Sequence, residues 1–134
     1  MVDRTTKLLE IGCGRGAGLD ERMHLNGKTY FGLDLRLEFL DWGGPRKILL
    51  AGDGNQLPFR ENSFDEVVCS HTLEHMVDYG NLIPEISKVL KVNGSVEIDV
   101  PHPDYERIMG SLSPDYHSPK MHLRIIQQQE LVKL

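Results

Sequence analysis

With 134 residues, 15 Lys and Arg against 20 Asp and Glu, and a net charge of −5, the chain has the size of one domain able to bury a real core, and nothing marks a second domain. The acidic balance and the lack of a long basic run disfavour a nucleic-acid partner, and no apolar run approaches membrane-spanning length. Asp3, Arg4 and Lys7 interrupt the opening apolar residues where a secretory leader would lie, and Cys13 and Cys69 lack metal or disulfide-framework spacing, so reduced thiols and a cytoplasmic location are expected.

In chain order, residues 7–11, apolar at Leu8, Leu9 and Ile11, read as a first buried strand that breaks into glycines at every second position, Gly12, Gly14, Gly16 and Gly18. Such a loop lets the main chain approach a polar small molecule closely. Gly12-x-Gly14-x-x-Ala17 also satisfies the dinucleotide fingerprint, and a glycine turn after a strand can be purely structural, so the loop alone leaves the ligand open. Residues 17–25 are expected to form a first helix stopped by Asn26-Gly27, and 29–35 a second strand. Trp42-Gly43-Gly44-Pro45 is a turn cluster, after which 47–53 and 64–70 read as strands three and four. Leu82, Ile83, Ile86, Val89 and Leu90 make one apolar helix face with Asn93-Gly94 as its stop, and 95–100 reads as strand five. The alternation of apolar strands with helices predicts an α/β fold, a parallel sheet covered by helices on both faces.

Ligands of such sheets bind at the carboxyl ends of the strands, and the polar residues gather at those ends: Gly12, Asp34, Asp53, and Ser70-His71. Asp34, 24 positions after Glu10, stands where a carboxylate accepts hydrogen bonds from both hydroxyls of a ribose; the bland alternative is a solvated turn residue. Asp53, followed by Gly54 and then Leu57-Pro58-Phe59, is suited to hold an adenine amino group against an apolar wall, an arrangement that dinucleotide dehydrogenases do not require.

These stretches together resemble the class I S-adenosylmethionine-dependent methyltransferases, and within them the small-molecule, ubiquinone-biosynthesis-like (type 11) branch. LLEIGCGRGAG (8–18), YFGLDL (30–35), AGDGNQLPF (51–59), SFDEVVCSHTLEH (63–75) and LKVNGSVEIDVP (90–101) are similar to its motifs in their order. The resemblance implies a doubly wound, Rossmann-like sheet of strand order 3-2-1-4-5. It assigns Glu10, Gly12, Cys13, Gly14 and Gly16 to the methionine end of S-adenosylmethionine and Asp34, with Leu35 beside it, to the ribose side. Asp53 and Gly54 fall to the adenine, and Ser70 and His71 to the wall beside the sulfonium.

Methyl transfer from a sulfonium is an in-line displacement in which the protein mainly aligns the reacting atoms. Where the acceptor must lose a proton a base helps, and His71 and His102 are the candidates, with His117 further along the chain; their bland reading is satisfaction of backbone groups near strand ends. His71-Thr72-Leu73-Glu74-His75 also matches the inverted zinc-protease pattern, but that pattern belongs within a helix and here it directly follows a strand, so no metal is expected; the resemblance instead implies a His-x-Leu-Glu-His turn entering a helix, with Glu74 and His75 structural. Ser70-His71-Thr72-Leu73 stands where base-methylating relatives carry an Asn/Asp-Pro-Pro-Tyr motif, which turns the acceptor towards small molecules. Residues 101–126, irregular and containing Pro101, His102, Tyr105, Tyr116 and His117, are expected to be an acceptor-side wall or lid, or else an ordinary connector.

Against the family pattern the chain reads as one domain, 1–134, short at both ends, with 127–134 as the start of a further helix and without strands six and seven. A fifth strand left at the sheet edge predicts a partner there, a homodimer being the simplest. Two other function classes stay open: a cofactor-binding module without activity, and a nicotinamide-dependent oxidoreductase resting on the loose glycine match and the acid after strand two.

Overall fold

A computed structural model describes residues 5–14, 27–36 and 47–113 of the chain. Five strands make one sheet: β1 (Thr6–Ile11), β2 (Lys28–Asp34), β3 (Lys47–Ala51), β4 (Phe64–Ser70) and β5 (Leu90–Asp99). Their order is β3-β2-β1-β4-β5 and every neighbouring pair is parallel. That is the doubly wound order expected from the motifs, with the switch point between β1 and β4. The register lines up the carboxyl ends: Ile11 lies opposite Leu33, Asp34 opposite Ala51 and Ser70 opposite Asp99. Every loop that leaves a strand in this direction therefore emerges on the same edge.

Residues alternate across the sheet because a strand points successive side chains to opposite faces. Leu9, Ile11, Leu33, Val67 and Cys69 belong to the larger core, which is closed by helix α1 (Leu82–Val89) through Leu82, Ile86 and Val89. Leu8, Tyr30 and Val68 face the other way and form a smaller cluster with Cys13. Phe64 ties the larger core together: its ring meets those of Phe31 and Phe59 edge to face, with centroids 5.2 and 4.9 Å away.

The second described helix, α2 (Pro103–Leu112), starts with Pro at its first position and is capped by His102, whose Nδ1 accepts the Asp104 N–H at 3.2 Å. Residues 103–112 are thus helical rather than irregular, because a proline whose ring presets a helical φ directly follows a side chain able to cap the next turn. The helix expected over 17–25 and the segment 127–134 lie outside the described residues.

Several boundaries move. Asn93-Gly94 does not stop α1, which ends at Val89 when Leu90 turns extended at φ −75 and ψ 135. The pair sits inside β5, where the register with β4 jumps from Phe64–Leu90 to Glu66–Ser95 and Asn93 takes φ 65. A turn-forming Asn-Gly serves here as a bulge within a strand, which tertiary pairing selects over the helix-stop role. β3 ends at Ala51 and β2 at Asp34, so Asp53 stands in the loop after its strand and Leu35 just past its own.

Replacing Phe64 by Ala is expected to cost about 3–5 kcal/mol of unfolding free energy, since it empties a site flanked by two other rings. Urea unfolding followed by circular dichroism measures this directly.

Candidate functional site

At the carboxyl edge the chain leaves β1 through Gly12, at φ 76, and Gly14, at φ 56, a conformation that glycine adopts without penalty. Both Gly12 N–H (2.7 Å) and Cys13 N–H (3.1 Å) donate to the Leu33 carbonyl, which fastens the loop over the end of β2. Space is as restrictive as conformation at Gly12. A Cβ there would overlap Thr72 Oγ1 and lie 2.7 Å from its Cγ2. The Thr72 hydroxyl itself lies within hydrogen-bonding distance of the Ile11 carbonyl (3.2 Å) and the Ser70 carbonyl (3.0 Å), so it staples the loop after β4 to the end of β1.

Asp34 closes the loop from the other side. One carboxylate oxygen accepts the Gly14 N–H at 2.9 Å and the other accepts the Arg36 N–H at 3.0 Å. Each oxygen keeps a second lone pair for a ligand hydroxyl. Leu35, beside it, is exposed. Glu10 is buried behind the loop, where Tyr30 donates its hydroxyl to Oε2. Asp53 is exposed and shapes its own loop by accepting the Asn55 N–H at 2.9 Å, while Gly54 is buried against Ile11 and Leu82. That loop is anchored to the region before α1 by Asn55, whose Nδ2 donates to the Asp78 carbonyl at 2.7 Å and whose carbonyl accepts from Asn81 Nδ2 at 2.7 Å. Glu85 accepts the Leu57 N–H at 2.6 Å and pairs with Lys88, and chiefly the Lys88 bond, helped by that N–H, holds its carboxyl below the ordinary range.

Beyond β4 lies a second region. Ser70 Oγ contacts Asp99 Oδ1 at 3.1 Å, and His71 N–H donates to the Asp99 carbonyl at 2.9 Å. His71 holds φ 49, a left-handed conformation that a non-glycine residue adopts at some cost and that recurs at functional sites. Leu73–His75 form a single 3-10 turn, so the H-x-x-E-H residues are not carried on an α-helix as a zinc protease requires. Among the described residues no group of three or more His, Cys, Asp or Glu is placed to hold a metal ion. His71, Glu74, His75, Val100, Pro101, His102 and Tyr105 line an open cleft of about 580 Å³.

The sequence-predicted residues thus separate into two neighbouring groups. Gly12, Cys13, Gly14, Asp34, Leu35, Asp53 and Gly54 surround the edge over β1, β2 and β3, with Glu10 behind it. Ser70, His71 and His102 stand over β4 and β5, and Gly16 and His117 lie outside the described residues. His102 uses its Nδ1 lone pair as a helix cap, which puts its ring proton on Nε2. Sequence reasoning missed Thr72, Asn55 and Asp99. Asn55 carried a local signal, two positions after Asp53 in an Asp-Gly-Asn turn. Thr72 and Asp99 act through contacts between strands distant in sequence and had none.

The methyltransferase domain family matches residues 9–98. The chain belongs to that family. It is 31% identical over 93 residues to the demethylmenaquinone methyltransferase of Corynebacterium urealyticum, which covers 69% of this chain and 40% of that protein. With the ubiquinone biosynthesis O-methyltransferase of Photobacterium profundum it shares 32% over 98 residues, 67% of this chain and 41% of that one. A SAM-dependent methyltransferase from Archaeoglobus fulgidus superposes with a TM-score of 0.74 over 98% of this chain and 59% of its own, at 22% identity, a likeness of fold. The chain thus spans about two fifths of the length of these curated relatives.

Burial raises both thiols, Cys13 and Cys69, from the ordinary 9.0 to about 12, and the carboxylates of Asp34 and Glu10 add to the effect at Cys13. A folded-state pKa above the unfolded one means that this stability is complete below pH 9.0 and lost as pH rises towards 12. Urea midpoints measured across that range should fall more steeply for the wild type than for Cys69→Ala.

Proposed function

We propose that the chain binds S-adenosylmethionine on the glycine edge and transfers its methyl group to a small, protic, partly apolar acceptor held in the adjoining cleft. The observation that carries this reading is the bond from Gly14 N–H to Asp34. In a dinucleotide site the glycine-loop N–H groups face a diphosphate. Here one of them is given to a carboxylate, and Glu10, Asp34, Asp53 and Asp99 make the strand ends acidic. An acidic edge suits a sulfonium nucleoside and repels a diphosphate, which weighs against the nicotinamide reading.

The residues present fit the cofactor. Among the described residues nothing stands within 4 Å of where a Cβ at Gly14 would be, and Asp34 retains lone pairs for ribose hydroxyls. Asp53, exposed before the apolar Leu57 and Phe59, suits the adenine. When bound, S-adenosylmethionine supplies an activated methyl carbon. The chain orients the acceptor against Val100, Pro101 and Tyr105, and His71 receives the proton that the acceptor loses. His102 is the poorer candidate for that role, since its Nδ1 lone pair already accepts the Asp104 N–H. The names of the relatives, one for demethylmenaquinone and one an O-methyltransferase of ubiquinone biosynthesis, support a quinone-type ring as acceptor class, with a ring hydroxyl as one acceptor group.

A cytoplasmic location belongs to the same reading, supported by two free thiols and readable by cell fractionation. So does pairing of two copies along β5, where Val92 and Val96 are exposed. Light scattering that returns the mass of one chain at micromolar concentration would remove the dimer.

Calorimetric titration with S-adenosylhomocysteine, S-adenosylmethionine and NADH tests the cofactor. Micromolar binding of the two sulfur nucleotides is expected, weakened about tenfold to a hundredfold by Asp34→Ala and by Asp53→Ala. Binding of NADH alone would overturn the reading, and nucleotide binding without turnover on any hydroxylated ring would favour a non-catalytic module.

A further inference from the structure

Glu74 is 1% exposed, and neither of its carboxylate oxygens has a hydrogen-bond partner among the described residues. Leaving a buried carboxylate unsatisfied is costly, and native structures rarely do so without a use for it. Two imidazoles stand over it. His71 Nδ1 is 3.6 Å from Oε1 and His75 Nε2 is 3.9 Å from the same atom. Neither distance is a hydrogen bond, but both rings are about half exposed, and bonds of catalytic groups often close only when substrate is bound.

We propose that Glu74 is the positioning residue for His71: it takes the Nδ1 proton as its partner and so leaves the Nε2 lone pair as the site that receives the acceptor's proton. The inference rests on the methyl-transfer reading above. Three observations favour His71 over His75 as the partner. Its nitrogen is the nearer, it follows β4 directly at the edge it shares with Asp99, and the next residue, Thr72, presses on Gly12 of the nucleotide edge. The other side of the ring completes the arrangement. Nε2 lies 4.0 Å from Asp99 Oδ1, an oxygen also contacted by Ser70 Oγ.

The proton balance is simple. The bond from the acceptor's O or N to hydrogen breaks, a bond from hydrogen to His71 Nε2 forms, and the resulting imidazolium lies between the carboxylates of Glu74 and Asp99. His75 and His102 share the cleft, but His102 is turned to its own helix cap. A carboxylate that fixes the tautomer of a base is the division of labour seen in acid–histidine pairs generally.

The test reads the tautomer without substrate, by two-bond proton–nitrogen correlation spectra of the nitrogen-labelled full chain at a pH where the imidazoles are neutral. His71 is expected as the Nδ1–H form in the wild type. Glu74→Leu should lose that preference. Glu74→Gln, whose amide oxygen still accepts, should keep it, and should remain informative if the leucine variant does not fold. A His71 tautomer that is Nε2–H in the wild type, or the same in wild type and Glu74→Leu, or a change confined to His75, overturns the proposal.

With S-adenosylmethionine and a naphthol as probe acceptor, Glu74→Leu should lower kcat on the order of tenfold or more with KM unchanged, and Glu74→Gln by less. Full kcat in His71→Ala would instead sink the base role assigned under the proposed function. The tautomer result and that kinetic result are independent, so the two failures are told apart.

Discussion

The meeting of Gly12 with Thr72 is the contact around which both halves of the site are arranged. β1 and β4 are neighbours in a parallel sheet, and their outgoing loops must diverge at the switch point while starting one strand spacing apart. Only a residue without a side chain leaves room for Thr72 there, and Thr72 answers by reaching the carbonyls of both strands, Ile11 and Ser70. From that junction one loop turns towards Asp34 and the other towards His71. In the proposed reading a nucleotide held by the first would lie beside a cleft built on the second, and proximity of that kind is most of what an alkyl-transfer site must provide.

Burial decides what each charged group can do. Glu10 lies behind the glycine loop in contact with Tyr30, so its charge contributes to the field of the edge from beneath. Asp34 and Asp53 keep contact with solvent and hold backbone N–H groups that set their own loops, leaving lone pairs for a ligand. Cys13, enclosed beside two carboxylates, is kept a neutral thiol, which suits a loop that must pack tightly without reacting. Glu74 alone among these carboxylates is buried without a hydrogen-bond partner among the described residues, and that asymmetry sets the second region apart from the first.

The resemblance to a methyltransferase domain rests on motifs in order, and the geometry gives each of the described motifs a physical task. The glycines admit a close crossing, Asp34 pins the loop, and the Asp53 turn is bolted through Asn55 to the segment before α1. The residues after β4 and β5 line an open cleft. Fold alone would not distinguish a sulfonium nucleoside from a dinucleotide; the donor given up by Gly14 and the acidic strand ends are what weigh between them.

Much of this was readable in the chain itself. The five apolar runs, the glycine alternation after residue 11 and the acids following strands two and three follow from periodicity and local backbone chemistry, which act over a few residues and survive in sequence. Asn93-Gly94 was misread because the same dipeptide serves a helix stop or a bulge, and only pairing with β4 selects between them. Likewise His102 and residues 103–112 looked irregular until Pro103 and the imidazole cap combined as a helix start. Motifs read along the chain carried the family resemblance and, through it, the strand order, and they marked the glycine edge and the candidate histidines. Only the folded chain shows that Thr72 braces Gly12 and that Glu74 is buried beneath His71, because the first is a contact between loops distant in sequence and the second depends on what packs around the carboxylate.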